Sequence, residues 1–488
     1  QMPGVSSMNP AVFSGDYDAS VPQTSAALFS PPAQWLIFNP NFKREGGIRR
    51  KSSQADLRFD WQFGGGYSLS SLTATHFDQS QLLIDLNYRD AHNRVNPLYS
   101  AATATTRVPW QQFLLLSQGR LKDYSQELRI SSPVESRFRW TLGANYINFF
   151  SPGGTVYGMT EIGNFFTAAV TQQEVKTPSV FGGAYFDITK DWKLSVEGRY
   201  QSDEFTVTPK VGSNGLPVSG IGATVFHNKW KSTSPRVSLD WQYAPNSMIY
   251  ALYSKGYRPG GFNTALVTSS QATLDALKAV VPNAGLIFDE EELDNIEMGI
   301  KSTWLNGRAR TQLTLFSDKW KNGQVANSIP VVVAGVANLI GLTVNNGIAK
   351  LQGFEFEGEM RVTEGLKVAA TMGYTSTKIE AFGLGVGNCT DCNFIYGTFA
   401  GAIGNELPTV PKMTYSVSGE YTHPFGKFEG FSRLDYTHQG SKYTDLSNVL
   451  KVGASENLNL RLGVRNDKLA VEGYVTNLTN NDTVLSAL

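Results

Sequence analysis

Arg236-Val237-Ser238-Leu239-Asp240-Trp241-Gln242-Tyr243 alternates strictly between polar and apolar side chains. In an extended chain successive side chains point to opposite faces. Val237, Leu239, Trp241 and Tyr243 therefore share one face, and Arg236, Ser238, Asp240 and Gln242 the other. The pattern returns along the chain. Leu57, Phe59, Trp61 and Phe63 oppose Asp56, Arg58, Asp60 and Gln62. Trp192, Leu194, Val196 and Tyr200 oppose Lys193, Ser195, Glu197, Arg199 and Gln201. Leu458, Leu460, Leu462 and Val464 oppose Asn457, Asn459, Arg461 and Arg465. A soluble β-sandwich alternates in the same way, so alternation alone establishes strands and leaves the architecture open.

The connections between strands decide more. Short turns rich in Gly, Pro, Asn, Asp and Ser lie at 64–67, 132–136, 189–191, 244–246, 305–307, 363–365, 424–427 and 466–468, the composition that tight turns require. Between them lie the long segments 78–125, 150–179, 208–231, 261–290, 325–348 and 380–412, and a shorter one at 443–454. Short connections on one side and long ones on the other are the mark of an outer-membrane barrel; sandwich Greek keys do not alternate so regularly. Eight hairpins give about sixteen strands. Trp61, Trp140, Trp192, Trp241 and Trp304 sit near the short turns, where a membrane boundary would collect them into an aromatic girdle.

Composition narrows the classes. The 488 residues hold 42 basic and 42 acidic side chains, so the formal charge is zero. A nucleic-acid binder would carry a basic excess. Charged residues are 17% of the chain, below the roughly 25% of soluble domains, and the 12% of aromatics argues against disorder. No apolar run approaches the roughly 18–20 residues of a membrane helix, which excludes a helical bundle. The expected fold is all-β, a transmembrane antiparallel up-and-down barrel.

The long segments have their own texture. Thr268–Val281 reads as a short helix with Ser270 as cap, Leu274, Leu277 and Val281 on one face, and Pro282 as stop. Val331–Ala337 is an apolar stretch, expected to pack on another loop rather than line a ligand mouth. Cys389 and Cys392 are too few for a zinc site and are expected to form a small loop disulfide, worth about 2 kcal/mol on the loop-entropy argument. His76, His92, His227, His423 and His438 are scattered without metal-ligand spacing. No nucleophile and base are paired, so neither a catalytic residue nor a cofactor is expected. Asp289-Glu290-Glu291-Glu292 is the sharpest acidic run; solvated loop charge is favoured over a hard-cation site.

Five motifs in order resemble the C-terminal barrel of TonB-dependent outer-membrane receptors, especially their sphingomonad-like expansions. Tyr250-Ala-Leu-Tyr-Ser-Lys-Gly-Tyr-Arg-Pro-Gly-Gly-Phe-Asn263 is similar to the family's Y-x-x-Y-S-x-G-Y-R-P-G-G-F-N strand end. Glu297-Met-Gly-Ile-Lys301, followed by Trp304 and Asn306-Gly307, resembles its E-x-G-x-K strand and turn. Asn346–Glu357 resembles the x-G-x-A-x-x-x-G-x-E-x-E part of the family's N-x-G-x-A-x-x-x-G-x-E-x-E. Leu407-Pro-Thr-Val-Pro411 precedes a strand as in the family, and Val475-Thr-Asn-Leu-Thr479 resembles its V-x-N-L-T. The resemblance covers roughly residues 45–480.

The resemblance implies a 22-strand barrel in a Gram-negative outer membrane, of which about sixteen strands are visible here. Residues 1–45 are expected to be loop or irregular, residues 46–480 strands and long extracellular loops. Neither the family's plug domain nor its TonB box is recognisable, nor its last strand. A fragment, or a sheet completed by other envelope subunits, is therefore expected. The implied activity is energised uptake of a scarce nutrient, of the siderophore-iron, cobalamin or glycan class. The implied partners are outer-membrane lipid, lipopolysaccharide, and TonB acting through a plug segment. A structural scaffold barrel and, more weakly, a passive porin are the alternatives. Tyr257, Arg258, Phe262 and Asn263 lie where a strand meets its loop. They are the candidate ligand contacts, although setting loop geometry is the favoured role, with Gly260 and Gly261 supplying unusual backbone angles.

Overall fold

Residues 47–85, 113–160, 165–167, 170–211, 225–266, 269–334, 336–382 and 402–483 are described by a computed structural model. Cys389, Cys392, His92 and the segment 1–45 lie outside these residues. The first half of the chain forms β1 (Gly47–Phe63), β2 (Tyr67–Asp85), β3 (Phe113–Ser131), β4 (Phe138–Ser151), β5 (Gly154–Thr160), β6 (Phe165–Thr167), β7 (Val170–Asp187), β8 (Trp192–Val211), β9 (Phe226–Ala244) and β10 (Ser247–Arg258). A loop element follows, made of β11 (Gly261–Phe262), the helix α1 (Gln271–Val280) and β12 (Ile287–Phe288). Then come β13 (Glu291–Trp304), β14 (Ala309–Val333), β15 (Val336–Arg361), β16 (Leu366–Phe382), β17 (Met413–Phe425), β18 (Phe428–Gln439), β19 (Lys442–Tyr443), β20 (Lys451–Val452), β21 (Ser455–Arg465) and β22 (Ala470–Val475).

One antiparallel sheet takes in all but the four shortest loop strands. Each long strand pairs with its sequence neighbours, as in β1 with β2, β2 with β3, and β13 with β14. β4 and β5 both pair with β3 and form one interrupted pass, and β6 pairs back antiparallel on β5 ahead of β7. The sheet thus makes sixteen passes among the described residues, joined at one end by eight tight turns, as the sequence pattern predicts. β1 and β22 each have one partner there. The turns use residues that tolerate the left-handed region: Asn246 has φ 61° and Gly426 has φ 61°.

The register assigns every side chain to a face. Leu239 lies opposite Leu194 and Ala251, and Leu315 lies opposite Met298 and Phe354. On this face Leu57, Trp61, Val196, Leu239, Met298, Leu315, Leu434 and Leu462 stay exposed. So large an apolar surface is a lipid contact rather than a soluble exterior. Trp192 stacks on Trp241 at 5.4 Å beside the short turns. Trp304 donates its indole N–H to Thr311 Oγ1 at 2.7 Å. The opposite face carries ion pairs and hydrogen bonds. Arg236 Nη1 meets Glu197 Oε2 at 2.9 Å, Tyr185 donates to Glu197 at 2.7 Å, and Arg433 lies between Asp435 and Glu420. An outer-membrane barrel has this polarity, wet inside and apolar outside.

Among the described residues, the packed apolar core lies at the loop end. Leu266, Leu274, Leu277, Val281 and Ala284 pack against Ile329, Val331, Leu342 and Val344. The expected helix is present, and Ser270 Oγ accepts from Thr273 N at 3.2 Å at its start. The segment 325–348, read from sequence as a loop, is instead a long hairpin. β14 and β15 stay paired from Gly323–Gly347 out to Val333–Val336, and Val331 packs on the helix-bearing loop.

A charge on the apolar face is expected to be costly midway between the aromatic belt and the loops. Leu239→Arg should lose roughly 2–4 kcal/mol of folding stability in lipid vesicles. Ser418→Arg, on the polar face opposite Asp435, should lose little. Denaturant titration of refolding into vesicles measures both.

Candidate functional site at the loop end of the sheet

The run that ends β10 leads straight into this cap. After Arg258 the chain turns through Pro259, and Gly260 presses against the wall. A Cβ on Gly260 would stand 2.2 Å from Phe288 O and 2.5 Å from Trp230 Nε1. One on Gly261 would stand 2.5 Å from Phe288 Cζ. Neither glycine has the positive φ that sequence reading assigns to it. They are needed for close approach, not for unusual backbone angles, which corrects that expectation. Their closeness lets β11 pair with β12, Gly261 opposite Phe288, and so close the loop that carries α1.

Side-chain amides then tie this loop to the β14–β15 hairpin. Asn263 is 6% exposed. Its Nδ2 donates to Gly285 O at 2.8 Å and Thr343 O at 2.9 Å, and its Oδ1 accepts from Thr343 N at 2.7 Å. Gln324 Nε2 donates to Pro259 O at 2.8 Å and Asp289 O at 3.1 Å. Asn345 accepts from Asp289 N at 2.6 Å and donates to Asp289 O at 2.7 Å. Backbone groups stranded by an irregular loop thereby find partners.

Against this latch sits an aromatic group. Trp230 is 6% exposed and meets Phe205 edge-on at 5.2 Å and Phe262 at 6.0 Å. Phe226 lies 6.2 Å from Phe262. The Trp230 Nε1 hydrogen has no acceptor among the described residues. The acidic run is largely neutralised. Glu291 takes Arg258 at 3.4 Å and Gln324 N at 2.6 Å, while Glu292 takes Lys255 at 3.2 Å and Lys321 at 2.9 Å. Glu290 differs. Burial holds its carboxyl above the usual carboxylate range, and Asp289, Glu292 and Asp203 reinforce the shift. Asp203 is itself buried and accepts from Thr177 at 2.8 Å.

The structure divides the four candidate residues. Arg258 pairs in register with Glu291 on the polar face, and its side chain is 68% exposed. Tyr257 pairs with Glu292 on the other face, beside Lys255. Phe262 belongs to the aromatic group and Asn263 to the latch, so the four do not converge on one pocket. Sequence reasoning missed Trp230, Gln324, Thr343 and Asn345, and it read Glu290 to Glu292 as solvated loop charge where the structure ion-pairs Glu291 and Glu292 and partly buries Glu290. Only the Asn346–Glu357 motif passes near them, and nothing local marks their partners. The described histidines are dispersed: His76 pairs with Asp123 at 3.0 Å, His227 with Thr206 at 3.1 Å, and His438 stacks on Tyr415. His423 stacks on Tyr421.

A family model described as TonB dependent receptor-like, beta-barrel, matches residues 6–478. The metal-pseudopaline receptor CntO of Pseudomonas aeruginosa is 26% identical over 200 residues, which are 41% of this chain and 22% of that protein. The ferric yersiniabactin uptake receptor FyuA from Yersinia pestis superposes with a TM-score of 0.68 at 15% identity, over 90% of this chain and 58% of that one. The siderophore receptor PiuA from Acinetobacter baumannii gives 0.65 at 14% identity, over 90% and 62%. The chain therefore spans less than two thirds of the length of these proteins.

Asn263→Ala should strand Thr343 N, Thr343 O and Gly285 O. Opening of the loop should become easier by about 2–4 kcal/mol. Hydrogen exchange should quicken across 259–288 and 323–347 and stay unchanged at 236–243. Glu290 carries a raised pKa in the folded loop, so the folded loop holds its proton more tightly than the opened one. Its protection should be greatest below the ordinary value near 4.5 and fall as pH rises through the raised value. Glu290→Gln should flatten that pH dependence in the same exchange measurement.

Proposed function

The chain belongs to the TonB-dependent receptor-like β-barrel family, and on that premise we propose that it forms the membrane wall of an outer-membrane receptor that takes up a scarce metal chelate. The observation that carries the reading is the two-faced sheet of sixteen passes, capped at its loop end by a folded, amide-stitched element. The apolar face meets lipid. The polar face, with Glu197–Arg236 and Glu420–Arg433 pairs, offers a wet wall to a polar solute. The loop end supplies a rigid surface for capture, because helix, hairpin and latch hold one another. Energy from the inner membrane, delivered by TonB to a plug seated in the barrel, then drives release inward.

Among the nutrient classes the family handles, the metal-chelate class is favoured by relatives named for metal-pseudopaline, ferric yersiniabactin and siderophores. Of the four candidate residues we assign contact with an anionic chelate to Arg258, a reading supported by the exposure of its guanidinium on the polar face beside Glu291. Phe262 and Asn263 act through the loop they hold, and Tyr257 through the opposite face.

Uptake tests this reading. Cells lacking the gene should lose accumulation of one radiolabelled ferric chelate from a panel, and the restored gene should recover it only when TonB is present and the proton gradient intact. Arg258→Ala should raise the half-saturating concentration by about tenfold or more at unchanged surface abundance. Unchanged uptake of the whole panel, or uptake indifferent to TonB, would overturn the proposal. Steady ion conductance in planar bilayers would then point to a porin.

A further inference from the structure

Three lysines stand side by side on the lipid face. Lys319 of β14 lies directly opposite Lys350 of β15, and Lys350 lies directly opposite Lys378 of β16. Directly opposed side chains on one face have Cβ atoms about 4.5–5.5 Å apart, and like charges there repel. All three are exposed. Lys319 has one distant carboxylate, Glu380 at 3.9 Å. Lys350 and Lys378 have no acidic partner within 4.0 Å among the described residues. The nearby Asp294, opposite Lys319, is taken up by Lys321 and Lys255. A matching row elsewhere shows the ordinary solution: Lys176, Glu204 and Lys229, opposed across β7, β8 and β9, alternate in sign. Among the described residues Glu380 meets one of the three charges, and the all-lysine row leaves the rest to be met from outside the strands.

Its height says by what. Ala309 opens β14 at the short-turn end, beside Trp304. Lys319 lies ten residues further along. At about 3.4 Å per residue and a tilt near 40°, the row stands about 26 Å above the turn, against an apolar band of about 25 Å. The face below it is apolar, with Leu313, Leu315, Phe354 and Met372, and one polar step at Ser317, Gln352 and Ser376 lies between. We propose that Lys319, Lys350 and Lys378 form a seat for the phosphate groups of a glycolipid in the outer leaflet. An ammonium ladder at headgroup level is complementary to a phosphorylated sugar headgroup whose acyl chains lie along the apolar strip beneath. The seat depends only on the membrane placement of the wall, so it stands or falls independently of the transported nutrient.

The protein extracted from membranes, exchanged into lipid-free detergent and offered bisphosphorylated lipid A, should retain it in native mass spectrometry. Dephosphorylated lipid A should bind no better than phosphatidylethanolamine, and millimolar inorganic phosphate should not displace the lipid. The Lys319→Gln, Lys350→Gln, Lys378→Gln triple variant should bind about a hundredfold more weakly, at roughly fivefold per charge removed. Lys350→Gln alone guards against a folding artefact through a change of sign. It should raise the melting temperature in lipid-free detergent by relieving repulsion, and lose the rise that bound lipid A gives the unaltered protein. Equal binding by the triple variant, equal binding of dephosphorylated lipid, or displacement by inorganic phosphate would overturn the proposal.

Discussion

Water is absent from the middle of a bilayer, and every backbone N–H and C=O that crosses it must find a partner in the chain. A sheet meets that demand only strand against strand, which is why the passes of this chain pair with their sequence neighbours over nearly their whole length. Side-chain alternation follows from the same demand. Once hydrogen bonding fixes the strand, one face meets lipid and the other meets water, and a one-residue slip would exchange them. The apolar row through Leu194, Leu239 and Ala251 and the charged pair of Glu197 with Arg236 are two consequences of one register.

Where water returns, the rules change. Above the apolar band the chain builds an ordinary buried core from α1 and the β14–β15 hairpin, because burial from water again drives packing. Backbone groups of the loop are satisfied there by amide side chains rather than by neighbouring strands. Asn263, Gln324 and Asn345 all serve in this way. The Gly260 contact with Trp230 and Phe288 joins the two regimes. The end of a membrane strand is thereby coupled to a folded cap outside the membrane.

This division explains what was legible in the sequence. The strands, the eight turns and the capped helix are local, written in alternation, turn residues and the Ser270 cap. The hairpin at 325–348 escaped because Pro330 and the run Val331-Val332-Val333 lack the membrane period; its pairing rests on a core shared with a helix some 50 residues earlier. The latch escaped for the same reason, since Asn263 answers to Thr343, 80 residues away. Glycines were noticed, but their cause lay in Trp230, which no local signal ties to Gly260.

The lipid face also carries information that its apolar strip does not. Membrane burial requires only that the strip be apolar. Folding requires only that charges above it be balanced, as Lys176, Glu204 and Lys229 are by alternation of sign. Among the described residues Lys319, Lys350 and Lys378 have one carboxylate between them, Glu380 at 3.9 Å from Lys319. Mutual repulsion across two neighbouring strand pairs is a standing cost, and a one-residue slip to relieve it would turn the whole apolar strip of β15 toward water. The register that the bilayer imposes therefore holds the three ammonium groups in line, and a headgroup anion at that depth is the partner able to offset their charge.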